Sequence, residues 1–260
     1  MNRRKFLKQS AMAVLSLTTA NLFAYPLVSE LFNNINHNNK SSNKMKKIVI
    51  INGGPRKNMN TAAMTESFRK GVNSSDKNIE VKEYWLYDLD QYKGCISCMA
   101  CKIKGKSSRV CKYKDALLPV LHEASEADGL VLASPIYMGD RTAMLQAFVE
   151  RIVFPWLSYA DGSIMAIKKM PVVFIYTMNA SSEQAPIIHK QLELSEQMFG
   201  IALGQCERIE AFNTYQMKDY SRFEFAEGTA EAKQTYKDTH WENDLQNSFD
   251  AGKRMAEKIS

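Results

Sequence analysis

Residues 47–61 read KIVIINGGPRKNMNT, a run of branched apolar residues followed by a loop of glycines and polar residues. The first part, Lys47–Asn52, is typical of a short strand buried in a parallel sheet. Gly53-Gly54-Pro55 ends this strand, and an amphipathic helix is predicted from Thr61 to Val72. A strand, a glycine-containing loop and a helix in this order predict the start of an α/β domain.

The alternation of strands and helices continues to the end of the chain. Further strands are predicted at residues 79–87, 129–134 and 171–177 and between 205 and 214. Further helices are predicted at residues 116–124, 143–153, 188–199 and 245–259, the third of them ending at Gly200. Five such units predict an α/β protein with a three-layer, flavodoxin-like fold and a five-stranded parallel sheet. Ligands of such folds bind at the carboxyl ends of the strands. Residues 215–241 are polar and irregular, and no element is predicted there.

The positive charge of the chain is concentrated at its N-terminus. The formal net charge is +6, and four of the positive charges belong to Arg3, Arg4, Lys5 and Lys8, in a stretch of 24 residues without an acid. The rest of the chain therefore carries a net charge of only +2. Because nucleic acid binding needs a basic surface on the fold itself, we expect no nucleic acid partner.

Residues 1–24 have the layout of an export signal. A charged start precedes a mostly apolar, uncharged run from Ala11 to Ala24. The pair Arg3-Arg4, with Phe-Leu-Lys at residues 6–8, resembles the twin-arginine export signal. We predict a signal peptide at 1–24, a flexible Asn/Ser-rich linker at 25–45 and one folded domain at 46–260. The expected location is periplasmic or otherwise extracytoplasmic, with membrane contact only for export unless an uncleaved leader serves as an anchor.

The loop after the first strand is a candidate phosphate site. A loop that leads into a helix presents free backbone N–H groups and the positive end of the helix dipole to an anion. Glycine lets the backbone approach closely, and polar side chains can add donors. The candidate residues are Gly54, Pro55, Arg56, Asn58, Asn60 and Thr61. The alternative is a plain strand–helix turn with an N-cap at Asn60 or Thr61.

A second candidate segment follows the strand at 129–134, at the same edge of the predicted sheet. Its residues are Ser134, Pro135, Ile136, Tyr137, Met138 and Gly139. A turn here can offer backbone groups to the polar edge of a ring system, while Tyr137 can pack on the ring face. The alternative is a strand–helix loop with a tyrosine in the core. A weaker candidate at this edge is the loop 177–180.

Both segments resemble one family. The first loop resembles the G-S-P-R-x-x-G-N-T signature of the NADPH-dependent FMN reductase group, with Gly54 in place of Ser and Met59 in place of Gly. The second resembles the S-P-x-Y-x-G segment that wraps the flavin ring in that group. The resemblance covers residues 46–260. It implies an FMN-binding domain, NAD(P)H as an electron donor and a homodimer.

Four of the five cysteines form a compact motif. Cys95, Cys98, Cys101 and Cys111 have the spacing C-x2-C-x2-C-x9-C, and four thiolates suit an iron–sulfur cluster. The arrangement resembles iron–sulfur flavoproteins, a branch of the same group, although the last gap is shorter there; it implies a [4Fe–4S] cluster. Zinc, disulfides or redox thiols, and the absence of a shared centre are the alternatives.

Three functions are consistent with these features. The first is an FMN-dependent oxidoreductase that moves electrons from NAD(P)H or a protein donor to an acceptor. No catalytic side chain is predicted, because the flavin carries the chemistry. The second is an electron carrier in which flavin and cluster exchange electrons with a protein partner, without NAD(P)H. The third is a flavin- or metal-binding module without turnover. The expected partner is a small molecule or a redox protein.

Overall fold

A twisted parallel sheet forms the centre of the domain in the computed structural model, which describes residues 45–260. The predicted signal peptide and all but the last residue of the predicted linker lie outside the described residues. The strands are β1 (Lys47–Asn52), β2 (Glu80–Trp85), β3 (Gly129–Tyr137), β4 (Asp140–Arg141), β5 (Val172–Thr177) and β6 (Cys206–Ala211). Five of them are parallel in the order β2-β1-β3-β5-β6, and the two-residue β4 pairs antiparallel with the end of β3. The predicted five-stranded parallel sheet is confirmed.

Six α-helices lie within residues 45–260. They are α1 (Asn60–Ser75), α2 (Leu117–Glu126), α3 (Ala143–Val153), α4 (Ala185–Leu203), α5 (Thr229–Tyr236) and α6 (Glu242–Ile259). Alternate residues of β1 point to opposite faces, so Ile48 and Ile50 pack under α1 and α6, whereas Val49 and Ile51 pack under α2, α3 and α4. The three-layer α/β prediction is therefore confirmed. Within residues 45–260, no helix combines the length and the apolar character needed to cross a membrane.

Two glycines set the distance between α1 and α6. A Cβ atom at Gly71 would lie 1.9 Å from the carbonyl oxygen of Phe249, and one at Gly252 would lie 2.1 Å from that of Phe68. Each helix therefore packs against the backbone of the other, which only glycine permits at these two positions. This close contact fixes α1, and with it the loop that precedes α1.

Two parts of the chain differ from the prediction. Helix α4 does not end at Gly200 but continues to Leu203, and Gly204 ends it with a φ of +118° that favours glycine. Residues 215–241, which had no predicted element, include α5 and a π-helical turn at Lys237–Trp241 that leads into α6. No element could be predicted here, because the segment is held by long-range hydrogen bonds rather than by an apolar helix face.

Candidate functional site

Three loops meet at the carboxyl edge of the sheet. They lie after β1, at the C-terminal end of β3 and at the end of β5, and together with residues 214–216 they line one cleft. The cleft is lined by Gly54, Pro55, Arg56, Met59, Asn60, Thr61, Pro135, Ile136, Tyr137, Thr177, Met178, Asn179, Thr214, Tyr215 and Gln216. The two candidate segments and the weaker third loop are thus brought together, as expected for neighbouring parallel strands.

Hydrogen bonds of side-chain hydroxyls connect these segments to one another. Thr142 donates from Oγ1 to the carbonyl oxygen of Gly53 (2.8 Å), and its own N–H donates to Oγ of Ser134 (3.0 Å). On the other side of the cleft, Thr61 Oγ1 and Thr177 Oγ1 share a hydrogen bond of 2.7 Å. All four side chains are buried. The first loop is therefore connected through Thr142 to Ser134 of β3, and the start of α1 is connected to Thr177 at the end of β5.

The N-terminus of α1 is open to an anion. Its N-cap is Met59, which makes no side-chain capping bond, and the first turn contains no acidic residue. The alternative of a cap at Asn60 or Thr61 is not what the structure shows, because both residues lie inside the helix. An uncapped helix start leaves backbone N–H groups without a partner, and these groups and the helix dipole attract anions.

The polar residues of the first loop have different roles. The Gly54 N–H already donates to Asn52 Oδ1 (2.8 Å), and a Cβ at Gly54 would lie 3.0 Å from that oxygen. Pro55 and Asn58 are exposed. Arg56 donates to the carbonyl oxygen of Gln216, and Asn60 donates to that of Tyr215 (2.6 Å). Both side-chain donors therefore lie inside the cleft, which has a volume of about 80 Å³.

The second candidate segment, residues 134–139, combines a buried start with an exposed tip, and its first four residues belong to β3, which runs past the strand end predicted at Ser134. The hydroxyl of Ser134 donates to the carbonyl oxygen of Pro135 (2.7 Å) and accepts from Thr142, so it shapes the turn and is not free to bind a ligand. Met138 and Gly139 have φ values of +53° and +85°, which turn the chain sharply. Tyr137 projects next to the cleft with 44% of its surface exposed.

One aromatic residue at this edge was missed in the sequence. Burial raises the pKa of Tyr87, and the Tyr137 phenol adds to this effect. Tyr87 follows the end of β2 and is 43% exposed. Its position directly after a strand was the available signal, because side chains there lie at the ligand edge of a parallel sheet.

The four motif cysteines line a single small cavity beside α3. Cys101 is buried, Cys111 is half-buried, and Cys95 and Cys98 are exposed; none forms a disulfide. Ser97 and Met99, between the first three cysteines, have positive φ values of 55° and 58° that fold the loop tightly. The loop therefore brings the four cysteines to the lining of one cavity.

Basic residues hold this loop to the core. Lys102 donates to the carbonyl oxygens of Phe154 (2.7 Å), Pro155 (3.1 Å) and Leu157. Arg151, which is 1% exposed, forms an ion pair with Asp115 and also lines the cysteine cavity. Burial raises the pKa of the Cys101 thiol, whereas the positive charge of Lys102 lowers it.

The four thiols are ligands of the type that an iron–sulfur cluster takes. Four thiols around one cavity, with cationic groups nearby to stabilise thiolates, are the ligands that an iron–sulfur cluster needs. In residues 45–260, however, no three His, Cys, Asp or Glu side chains are arranged as ligands of one metal ion.

A parallel sheet in this order, with an uncapped helix start at its carboxyl edge, defines the flavodoxin-like class of α/β proteins. The chain belongs to the NADPH-dependent FMN reductase family, whose model matches residues 46–205. Membership supports FMN as the cofactor and an oxidoreductase activity.

Two groups of known proteins are similar to the chain. Iron–sulfur flavoproteins of Methanocaldococcus jannaschii and Archaeoglobus fulgidus are 33% and 30% identical over 106 and 105 residues, which is 40% of this chain in both cases. The chain spans about half the length of these curated relatives, 51% and 48%.

Solved structures show the same fold. An NAD(P)H:quinone oxidoreductase from Methanothermobacter marburgensis has a TM-score of 0.57 at 13% identity, covering 81% of this chain and 97% of its own. An FMN-dependent NADH-azoreductase from Bacillus anthracis, solved with FMN, has a TM-score of 0.56 at 16% identity, covering 81% and 100%. At these identities the likeness supports the fold alone.

Proposed function

We propose that the chain is an FMN-dependent oxidoreductase that takes electrons from NAD(P)H or a protein donor and passes them to a small-molecule or protein acceptor. The observation that carries this proposal is the cleft in which the loops after β1, β3 and β5 meet beside the uncapped start of α1. Bound FMN would supply the electron-transfer chemistry, and the protein would position it and tune its electronics.

Different residues of the cleft would bind the phosphate and the flavin ring of FMN. The phosphate would accept hydrogen bonds from the N–H groups at the start of α1 and from the Arg56 and Asn60 side chains. These two side chains donate to the carbonyl oxygens of Gln216 and Tyr215 in the structure, and the phosphate would replace those oxygens as the acceptor. The turn at residues 135–139 would face the flavin ring, with Tyr137 and Tyr87 at its edge. Ser134 would act indirectly, by holding that turn.

Absorption spectra recorded without oxygen test this proposal. We expect flavin bands in the purified full chain, or after addition of FMN, and bleaching of these bands by NADPH. Dithionite serves as a control, since it reduces flavin whether or not a nicotinamide site exists. Absence of flavin binding would contradict the proposal. Bleaching by dithionite but not by NADPH would instead favour an electron carrier.

A carrier that uses both flavin and a [4Fe–4S] cluster is the second candidate. It is favoured by the four thiols that line one cavity, and by the names of the two iron–sulfur flavoproteins. We expect iron and sulfide in protein purified without oxygen, with a broad visible shoulder beneath the flavin bands. Cys101→Ala should abolish the shoulder. The matched control is Cys206→Ala, because Cys206 does not line this cavity. Zinc in place of iron would contradict this candidate.

We also propose that the chain is exported by the twin-arginine pathway and acts as a homodimer. The paired Arg3-Arg4 supports export. The joint substitution Arg3→Lys and Arg4→Lys should block export, and Lys5→Arg is the matched control. Export of the doubly substituted chain would contradict the first proposal. A single monomeric species in sedimentation velocity would contradict the second.

A further inference from the structure

The loop that carries the four motif cysteines is strongly basic. Residues 91–114 contain seven lysines and arginines and no acid, a formal charge of +7, whereas residues 25–260 together carry only +2. Lys102 and Arg109 hold the loop to the core, because both donate to backbone carbonyl oxygens of residues 154–165. The other five are exposed lysines, namely Lys93, Lys104, Lys106, Lys112 and Lys114.

The charges of these five lysines are not neutralised within the described part of the chain. None of the five ammonium groups forms an ion pair with a carboxylate of residues 45–260. Lys112 donates only to the carbonyl oxygen of Lys106. Glu150 of α3 borders the loop and accepts from the N–H of Cys95 (3.0 Å). Unpaired charge of one sign raises the potential of a surface and attracts partners of the opposite sign.

Apolar side chains are exposed in the same loop. Ile96, Met99 and Ile103 are 47%, 40% and 52% exposed. The exposed Cys95 and Cys98 lie beside them in the chain. Interfaces between proteins combine an apolar centre with a polar or charged rim, and this loop offers both.

The loop adjoins the candidate flavin site. Cys95 lines an open cavity of about 440 Å³ together with Asp140 and Arg141, the two residues that follow the second candidate segment. The Tyr92 hydroxyl donates to the carbonyl oxygen of Met144 (3.2 Å), in the first turn of α3. A protein bound to this loop would therefore lie beside the segment that faces the flavin ring in the proposed function.

We propose that this loop is the docking surface for an acidic electron-transfer protein. The carboxylates of that partner would face the five lysines, and its apolar centre would cover Ile96, Met99 and Ile103. The inference rests on the proposed function, in the form in which the donor or acceptor is a protein. Transient redox complexes have small interfaces, and complementary charge mainly speeds their formation.

Two other occupants fit the loop less well. An isologous contact between two copies, centred here, would set the lysines of one copy against those of the other, which costs free energy. The proposed homodimer therefore needs another face. Nucleic acid is disfavoured because the single arginine of residues 91–114 is bonded to carbonyl oxygens and both tyrosines are half-buried. The loop thus lacks a free guanidinium for phosphates and an open ring for bases.

Stopped-flow mixing of the FMN-loaded full chain with two haem proteins tests the inference. The chain is reduced beforehand, without oxygen, by one equivalent of dithionite. The probes are ferric cytochrome b5, which is acidic, and ferric cytochrome c, which is basic. Two ferric haems each take one electron from one reduced flavin and become ferrous, and the protons of the flavin pass to water. We expect the rate constant for cytochrome b5 to fall at least about tenfold between about 10 mM and about 300 mM salt, and that for cytochrome c not to fall.

A pair of charge-reversed variants shows whether this loop is responsible. Lys104→Glu with Lys106→Glu should lower the rate constant for cytochrome b5 about tenfold at low salt and weaken its calorimetric affinity for the oxidised chain. The matched control is Lys253→Glu with Lys258→Glu, which changes the net charge equally. These two lysines are exposed on α6, which packs on the other face of the sheet. The control should stay within about twofold of the unmodified chain.

Each result supports or overturns the inference. If the two double variants behave alike, or if the rate with cytochrome b5 does not depend on salt, the inference is wrong while the proposed function stands, because electrons still leave the flavin. If only binding to phosphatidylglycerol vesicles is lost in the Lys104 and Lys106 variant, the surface binds a membrane and the inference is wrong. If FMN does not bind, or the reduced chain reduces neither haem, the proposed function fails and the inference fails with it.

Discussion

Thr142 Oγ1 donates a 2.8 Å hydrogen bond to the carbonyl oxygen of Gly53 and accepts a bond from the N–H of Leu145 (3.3 Å). The same hydroxyl thus caps α3 and holds the loop after β1. Because the Thr142 N–H binds Ser134, one residue joins the candidate phosphate loop to the candidate flavin-ring loop. The geometry of the cleft therefore depends on a side chain that does not line it.

Replacement of Thr142 should lower both the stability of the fold and the affinity for flavin. Thr142→Val keeps the size of the side chain but removes the cap and the bond to Gly53. We expect the free energy of unfolding to fall by about 1–2 kcal/mol and flavin affinity to fall about tenfold, because the two loops lose their fixed spacing. Ser125→Ala removes a buried hydroxyl from α2, away from the cleft, and should leave flavin affinity unchanged. Equal affinity of Thr142→Val and the unmodified chain in a fluorescence titration would show that this bond does not organise the site.

Two glycines should respond to alanine in opposite directions. A Cβ at Gly53 would lie 2.7 Å from Leu145 Cβ and 2.8 Å from Thr142 Oγ1, so Gly53→Ala should lower the free energy of unfolding by about 1–3 kcal/mol. A Cβ at Gly200 meets no atom within 4 Å, and the residue lies inside α4. Gly200→Ala should therefore raise the free energy of unfolding by about 0.5–1 kcal/mol. Urea denaturation measures both; a loss of stability in Gly200→Ala would contradict the position of this residue inside α4.

The sheet and its ligand edge could be predicted because local patterns encode them. Lys47–Asn52 and Ala143–Val153 have the predicted bounds in the structure, since a buried parallel strand and an amphipathic helix each have a distinctive apolar pattern. The two candidate segments lie at one edge because each follows a parallel strand. The roles of individual residues inside them were less predictable. Ser134 is committed to Thr142 and Pro135, and no local pattern reveals such a contact.

The C-terminal part was less predictable because it depends on distant residues. Tyr215 and Gln216 are held by Asn60 and Arg56 from the first loop, and Lys233 of α5 binds Asn179 and Asn213. These contacts join residues up to 160 positions apart. A polar helix such as α5 has no apolar face that periodicity could detect, so α5 is evident only in the structure.

Lys102 should control access to the motif cysteines. Lys102→Met removes the three bonds that hold the loop to residues 154–157. Burial is the largest influence on the pKa of Cys101, so release of the loop should speed alkylation of this thiol about tenfold even though a positive neighbour is lost. Iodoacetamide labelling of iron-free protein, followed by peptide mass spectrometry, measures the rate. Lys104→Met is the control because Lys104 is exposed in the same loop. Slower labelling in Lys102→Met would mean that charge, not burial, dominates at Cys101.

Asp244 should make the domain less stable as the pH rises. This carboxyl is 7% exposed in the first turn of α6, and its Oδ2 has no hydrogen-bond partner in the described part of the chain. Burial raises its pKa to about 6, and nearby His240 only partly offsets the effect. At a pH where this carboxyl is protonated in both the folded and the unfolded protein, it does not destabilise the fold. The loss in the free energy of unfolding that Asp244 causes therefore grows as the pH rises from about 4 to about 6, and it is constant at higher pH.

Asp244→Asn removes this charge and keeps the shape of the side chain. We expect the free energy of unfolding of the variant to exceed that of the unmodified chain by about 1–3 kcal/mol at pH 8, because a buried, unpaired negative charge is lost. At pH 4 the two should be nearly equal, since the unmodified carboxyl is then protonated when folded. Glu242→Gln, an exposed acid in the same helical turn, should show no such pH-dependent gain. Urea denaturation at both pH values decides the matter: an equal difference at pH 4 and pH 8 would mean that Asp244 affects stability through packing and not through its charge.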